Sequence, residues 1–202
     1  LTVTNRDAKY EITVKANSAT ATYNGQSHTA EGVETTTFEV EGNTYTVSGL
    51  KTENPVKTDA GTYTNNITGT AVVKDAAGND VTSQFTVKTE NGNLVISKRN
   101  VTLTSASDSR VYNGKPLTND KVTVSGDGFA TGEGATYNVT GSQTVAGSSE
   151  NTFEYTLKPG TKAANYTITT AKGTLTVTNR DAKYEITVKA NSTTATYNGQ
   201  SH

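Results

Sequence analysis

Several groups of residues in this chain have side chains capable of chemistry. His28 and His202 are the only two histidines. Imidazole acid–base or metal chemistry needs partners at a fixed distance, and none accompanies either histidine, so both are expected in structural or surface roles. Asp75, Asn79 and Asp80 surround Gly78, and an oxygen-rich loop of this kind can hold calcium. The spacing does not match an EF-hand loop and no glutamate closes it, which leaves a hairpin turn as the expectation. Asp127 and Glu133 sit between glycines, in Gly126-Asp127-Gly128 and Gly132-Glu133-Gly134. Both read as turns, because a phosphate-binding loop needs a strand before it and a helix after it.

Glu31, Glu34, Glu39 and Glu41 offer paired carboxylates of the glycosidase type, but they lie on or beside a strand with a wet face and are expected to be solvated. An amide cross-link between a lysine and an asparagine would need a buried, neutral amine. Asn93 and Asn165 lie near closing strands, but Lys15 alternates with Ile12 and Val14 and should face water. Asn66, Asn100, Asn138, Asn165 and Asn191 begin Asn-X-Ser/Thr triplets, which a threonine-rich chain produces by chance. With no nucleophile–base–orienter set in view, no catalytic, metal or cofactor-binding residue is assigned, no cofactor is expected, and the chain does not read as an enzyme.

The elements that must position these groups are strands. About one residue in five is threonine, and only 32% of residues are hydrophobic. That favours thin modules with a narrow apolar layer, built from side chains that suit a pleated, half-buried surface. Cys, Met and Trp are absent. Disulfides and thiolate sites are thereby excluded, and the lack of a start residue leads us to expect an internal stretch of a longer chain. No apolar run is long enough to span a membrane. A net charge of -1 argues against nucleic acid or an anionic membrane as partner.

Self-similarity is the dominant signal. Residues 1–28 and 175–202 agree at 27 of 28 positions, with a period of 174 and one change, Ala19 to Thr193. The period divides further. Tyr23-Asn24-Gly25, Tyr112-Asn113-Gly114 and Tyr197-Asn198-Gly199 recur at spacings of 89 and 85 residues. A closing pattern, Gln84-Phe85-Thr86-Val87 to Leu94-Val95-Ile96, returns 81 residues later as Asn165-Tyr166-Thr167-Ile168 to Leu175-Thr176-Val177. Asp59-Ala60-Gly61 has an echo in Val145-Ala146-Gly147. The expected organisation is a closing strand and junction over 1–8, one module over 9–98, a divergent sibling over 99–178, and the opening of a further copy over 179–202. Asn5-Arg6-Asp7, Lys98-Arg99-Asn100 and Asn179-Arg180-Asp181 mark the junctions and are expected to be short, semi-rigid joints.

Alternation of apolar and polar residues predicts strands with one face in and one face wet. Ile12/Val14, Phe38/Val40, Tyr45/Val47, Phe85/Val87, Leu94/Ile96, Val101/Leu103, Val122/Val124, Phe153/Tyr155/Leu157, Tyr166/Ile168 and Leu175/Val177 are the expected inward sets. Asn24-Gly25 and Asn113-Gly114 are read as tight hairpins, and Glu41-Gly42-Asn43, Ala77-Gly78-Asn79 and Asn91-Gly92 as further turns. Roughly seven strands of about five residues are expected in each module.

Tyr112-Asn113-Gly114-Lys115-Pro116-Leu117, Ala164-Asn165-Tyr166-Thr167-Ile168 and Gly173-Thr174-Leu175-Thr176-Val177 together resemble the MBG-type repeats of bacterial cell-surface adhesins. The first module departs from that pattern, with Gln26-Ser27 in place of Lys-Pro and Gln84-Phe85 in place of Asn-Tyr. The resemblance implies an all-β fold of tandem Ig-like antiparallel β-sandwich modules, set end to end in an elongated array on the outside of a bacterial cell wall. It implies no catalytic residues. The expected role is a structural stalk that projects a distal binding region, with neighbouring repeats as partners and with strand pairing between the ends of different molecules. The alternative is a set of modules that bind a glycan or host matrix protein through avidity. Tyr23, Tyr63, Tyr112 and Tyr137 are the aromatics available for that.

Overall fold

The computed structural model describes residues 2, 4 and 7–201. About half of the chain is strand, and the described residues contain no α-helix, hence no helix long and apolar enough to cross a membrane. The first strands are β1 (Tyr10–Lys15), β2 (Ala19–Thr22), β3 (His28–Thr29), β4 (Thr37–Val40), β5 (Asn43–Thr52), β6 (Val56–Lys57), β7 (Gly61–Asn65), β8 (Ile67–Asp75), β9 (Phe85–Glu90) and β10 (Gly92–Ser97). Then follow β11 (Arg99–Ser105), β12 (Asp108–Val111), β13 (Val122–Gly126), β14 (Ala135–Val139), β15 (Gly147–Glu150), β16 (Phe153–Leu157), β17 (Tyr166–Ala171) and β18 (Thr174–Thr178). All recorded strand pairs fall either within β1–β10 or within β11–β18. Pairing therefore divides at Lys98, and the two sets are called here the first and second unit. The expected closing strand at 1–4 and the repeat position His202 fall mostly on residues 1, 3, 5, 6 and 202, outside those described.

The pairing is mixed, where an antiparallel sandwich was expected. β1 runs parallel to β9, with Tyr10 opposite Phe85 and Lys15 opposite Glu90, and β2 runs parallel to β10. The second unit repeats this with β11 on β17 and β12 on β18. The remaining ladders are antiparallel. Parallel pairing has a direct consequence. The strand that opens a unit and the strand that closes it point the same way, so the chain enters at one end of the unit and leaves at the other.

More strand segments form than the seven expected per unit, ten in the first and eight in the second among the described residues, and one of the extra segments in each comes from a break in the opening strand. β1 lies beside β9, and β2 beside β10 in a different sheet. The break at Ala16-Asn17-Ser18 passes hard against the start of β10. A Cβ at Gly92 would lie 2.2 Å from the Asn17 carbonyl oxygen. A Cβ at Gly173 would lie 2.4 Å from the Ala106 carbonyl at the same place in the second unit. Gly92 is therefore a point of backbone contact more than a turn residue. A fully buried asparagine completes each crossing. Asn65 Nδ2 donates to Asn17 O at 3.2 Å, and Asn151 Nδ2 donates to Ala106 O at 2.9 Å.

Turn chemistry differs from expectation at one recurrent site. Asn24-Gly25 does not join paired strands, since β2 pairs with β10 and β3 with β6. Instead Asn24 Oδ1 accepts from Gln26 N, and Asn113 Oδ1 from Lys115 N, in Asx turns that carry the chain onward. The two-residue hairpin with positive φ at both positions, as a type I′ turn requires, is Glu41-Gly42 between β4 and β5.

Inward faces follow the alternation. Ile12, Val14, Val47, Val73 and Phe85 pack in one cluster in the first unit, and Leu117, Leu175 and Val177 in another in the second. Val124 and Tyr155, expected inside, are 41% and 37% exposed. Val124 lies on β13, an edge strand, which leaves its side chain covered from one flank only.

The segment 179–201 carries no strand. Its Ile186 and Val188 are 85% and 89% exposed, whereas the identical positions Ile12 and Val14 are 6% and 1% exposed. The same residues form strands where β9 and β10 are available to pair and form none where they are not. Propensity alone does not make these strands; the partner does. Replacing Gly173 with alanine is expected to cost about 2–3 kcal/mol by forcing backbone apart. Gly134→Ala, whose Cβ would meet nothing closer than 3.6 Å, should stay within about 0.5 kcal/mol of wild type. Urea unfolding measures both.

Candidate functional site

The richest concentration of unusual contacts lies where the first unit meets the second. Only Lys98 separates β10 from β11; Arg99 and Asn100, expected in a linker, belong to β11 itself. Around this point Tyr23, Ala30, Leu94 and Ile96 of the first unit share one buried cluster with Val101, Leu103, Ala130 and Tyr166 of the second. The joint is thus a hydrophobic core in its own right.

Three sets of polar contacts brace the cluster. Tyr23 follows β2, and its N–H donates to Ser97 O at 2.9 Å, which fixes it against the end of β10. Its hydroxyl donates to Glu133 Oε1. The Tyr166 hydroxyl, at the start of β17, donates to the other oxygen of Glu133 at 2.8 Å and accepts from Ala130 N at 3.0 Å. The two tyrosine rings stand edge to face, 5.5 Å apart, and Phe129 meets Tyr166 edge-on at 5.2 Å. One carboxylate therefore ties a tyrosine of each unit. The turn read at Gly132-Glu133-Gly134 is present, closed by Glu133 N to Ala130 O, but its side chain does more than face water.

Arg99 forms the second lock. Its guanidinium donates to Gly128 O at 2.7 Å, Asp127 O at 2.5 Å and Tyr23 O at 3.3 Å. The Asp127 carboxylate accepts from Asn100 N at 2.9 Å. The third lock joins Asp59-Ala60, before β7, to the 3₁₀ turn Ala163–Asn165. Asn165 is fully buried; its Oδ1 accepts from Ala60 N at 2.8 Å and its Nδ2 donates to Asp59 Oδ1 at 2.9 Å. Lys162 Nζ lies 2.7 Å from Asp59 Oδ2. These bonds hold the Asp59 carboxyl below its ordinary range, Lys162 first and Asn165 second. The Lys162–Asp59 pair is well exposed, so solvent screens it and it contributes little. The buried aromatic and amide groups carry the larger share, because each would leave an unsatisfied partner in a water-poor site.

The other sequence candidates are placed apart from the joint. The Asp75 carboxylate accepts from Ala77 N, Asn79 N and Asn79 Nδ2, which closes a turn. Asp80 accepts from Thr82 N. Among the described residues no group of three or more His, Cys, Asp or Glu could hold a metal ion. His28 Nε2 pairs with Asn24 Oδ1 at 3.1 Å and braces the Asx turn. Glu39 and Glu41 accept from Thr44 and Tyr10. Lys15 is half exposed and pairs with Glu90 at 2.7 Å, as its outward position implied. Tyr63 and Tyr137 pack against the shared cluster, and Tyr112 against Leu117, Leu175 and Val177. With Tyr23 buried, the four tyrosines do not gather into one exposed aromatic surface.

A second joint-like end follows β18, and it differs from the first. Tyr112 N donates to Thr178 O at 2.9 Å, as Tyr23 does to Ser97. In place of Asp59 stands Val145, 65% exposed. Arg180 turns back on Tyr184, 4.2 Å over its ring. These two residues with Tyr112, Asn179 and Lys183 line a cavity of about 510 Å³. The apolar markers show why the ends differ. Ile96 and Val101 are five residues apart, whereas Val177 and Ile186 are nine apart. The junctions were read as alike because their Arg-centred triplets look alike. Arg99 falls in an expected junction triplet, but nothing local in sequence signals the contacts across units that Glu133 and Asn165 make.

No protein family matches the chain, and no curated protein or solved structure matches it.

Burial pushes the Tyr166 hydroxyl up to about 12, with the Glu133 charge adding to it and the Ala130 N–H opposing it. Burial, then Glu133, also raises Tyr23. The neutral phenol is the form that fits, so its stabilisation is intact below the unfolded value near 10 and is lost as pH rises towards about 12. Over that window stability should fall by about 1.4 kcal/mol per pH unit for this group. Tyr166→Phe should lower stability at pH 7 by about 1–3 kcal/mol, by stranding Ala130 N and Glu133. It should also remove the larger part of the alkaline slope. Urea midpoints of both proteins between pH 8 and pH 12 decide this.

Proposed function

We propose that this chain is a stretch of stalk modules from a bacterial cell-surface adhesin, placed outside the cell wall to hold a distal binding region away from it. The observation that carries the reading is the combination of parallel opening and closing strands with a one-residue joint. A unit whose chain enters at one end and leaves at the other adds length with every copy. A joint built on a buried core resists bending, which a Gly/Ser linker does not. The 174-residue period supports the same reading, since near-identical copies lengthen or shorten an array without new design. On this reading the units are Ig-like sandwiches set in tandem, stabilised by their neighbours as in other repeat proteins. On the same reading the end segments of different molecules pair as strands, and no enzyme activity is assigned.

Ligand binding by the modules themselves is the competing reading, and the packing of Tyr23, Tyr63, Tyr112 and Tyr137 against cores weighs against an aromatic sugar platform. The test is an array of glycans and host matrix proteins, probed with the 202-residue chain singly and in multivalent display. The stalk reading expects no saturable binding in either format and a rod-like scattering envelope. Saturable binding to one ligand class, lost in Tyr112→Ala, would replace it.

A further inference from the structure

We propose that each unit is a clamp that carries tension along the chain, from the point where the chain enters the unit to the point where it leaves. The register of the strands sets the load path. In the first unit the opening stretch 10–22 lies beside the closing stretch 85–97, and both run the same way. Six residue pairs join β1 to β9, and four join β2 to β10. In the second unit six pairs join β11 to β17, and four join β12 to β18. Among these ten opening-strand positions only Thr13 and Thr102 match in residue type between the units. The seam is thus kept while the side chains along it differ.

Further bonds carry the seam through the break in the opening strand. Ala16 N donates to Glu90 O, and Tyr23 N to Ser97 O, both at 2.9 Å. Ser18 Oγ accepts from Asn93 N at 3.0 Å. At the same place in the second unit Ser107 Oγ accepts from Thr174 N at 2.9 Å.

Direction decides how such a seam resists. A pull that draws the start of β1 backwards and the end of β10 forwards acts along both strands in opposite senses. The pairs are then sheared together and share the load, so none fails alone. A pull that separates the start of β1 from the start of β9 meets one pair at a time, with Tyr10 and Phe85 first. Each bond is modest by itself, so loading all of them at once is what raises the barrier. Forced unfolding reads that barrier as a rate, separately from equilibrium stability.

The joint sets the two clamps in series. Ser97 ends β10 and Arg99 begins β11, with Lys98 between them. Force that leaves the first seam therefore enters the second directly through the backbone. The antiparallel sheet of β4, β5 and β8 has no strand pairing with the seam and lies off this path. The inference rests on strand register, and it stands or falls apart from the stalk reading.

Single-molecule pulling on the full chain tests it. The protein has no cysteine, so handles attach to cysteines placed at Lys9, Ser83 and Lys98, all of which are exposed. Lys9→Cys with Lys98→Cys loads the first unit from entry to exit. Lys9→Cys with Ser83→Cys peels β1 from β9. Urea midpoints of the two variants are matched first, so that direction is the only variable. The entry-to-exit pull should hold to a force several-fold above the peeling pull. It should then fail in one step that releases about 300 Å of chain, the extended length of the stretch between the handles. Equal forces in the two directions would overturn the proposal, and so would an entry-to-exit failure that proceeds strand by strand.

Discussion

The parallel pairing of an opening strand with a closing strand 75 residues later in the first unit and 67 in the second is the constraint from which the rest of this structure follows. It joins Tyr10 to Phe85 in the first unit and Arg99 to Tyr166 in the second. It forces the chain to leave each unit at the end opposite to its entry. In both units the opening strand also breaks and changes sheets, at a point where a glycine lets backbones touch and a buried asparagine takes the freed carbonyl. The fate of residues 179–201 shows how strict the dependence is. The sequence that forms β1 and β2 is present there almost unchanged, yet without β9 and β10 beside it no strand forms. Such long-range pairing must close a large loop before it is rewarded.

The joint is the place where two units become one mechanical element. Its stiffness does not come from the single-residue connection alone, since one backbone residue still has two soft dihedrals. It comes from three separate anchor points around a buried cluster: Glu133 between two tyrosines, Arg99 on three carbonyls, and Asn165 on Asp59 and Ala60. Of these, only the Lys162–Asp59 contact is a surface ion pair, so the joint should be only weakly sensitive to salt. The end after β18 has a longer connection and a valine where the aspartate stood, and so the two joints of the period are chemically unlike.

Much of the fold was legible in the sequence. Alternation at Ile12/Val14, Leu94/Ile96, Val101/Leu103 and Leu175/Val177 marked residues that are indeed buried, because a strand with one dry face must write that period. The all-β class followed from the same pattern. Strand direction was not legible, since period-two alternation is identical in parallel and antiparallel ladders. The Asn-Gly pairs misled for a related reason: one glycine with positive φ serves an Asx turn as readily as a hairpin, and only pairing of the flanking strands tells them apart. The joint was the least legible. Glu133 and Asp127 sit between glycines and read locally as loop polar residues; their partners Tyr23 and Arg99 lie 110 and 28 positions away. The repeat offset did hold one clue. Asn65 and Asn151 recur 86 residues apart, as do Ala60 and Ala146, and a buried role for that asparagine was there to be read.

The central claim is that the two units move as one body through a shared core. Residual dipolar couplings of the amide groups, measured on the full chain in a weakly aligning medium, test it most directly. The account predicts that a single alignment tensor fits residues 10–97 and 99–178 together. Two tensors of different magnitude, one for each unit, would mean that the units reorient independently and would contradict it.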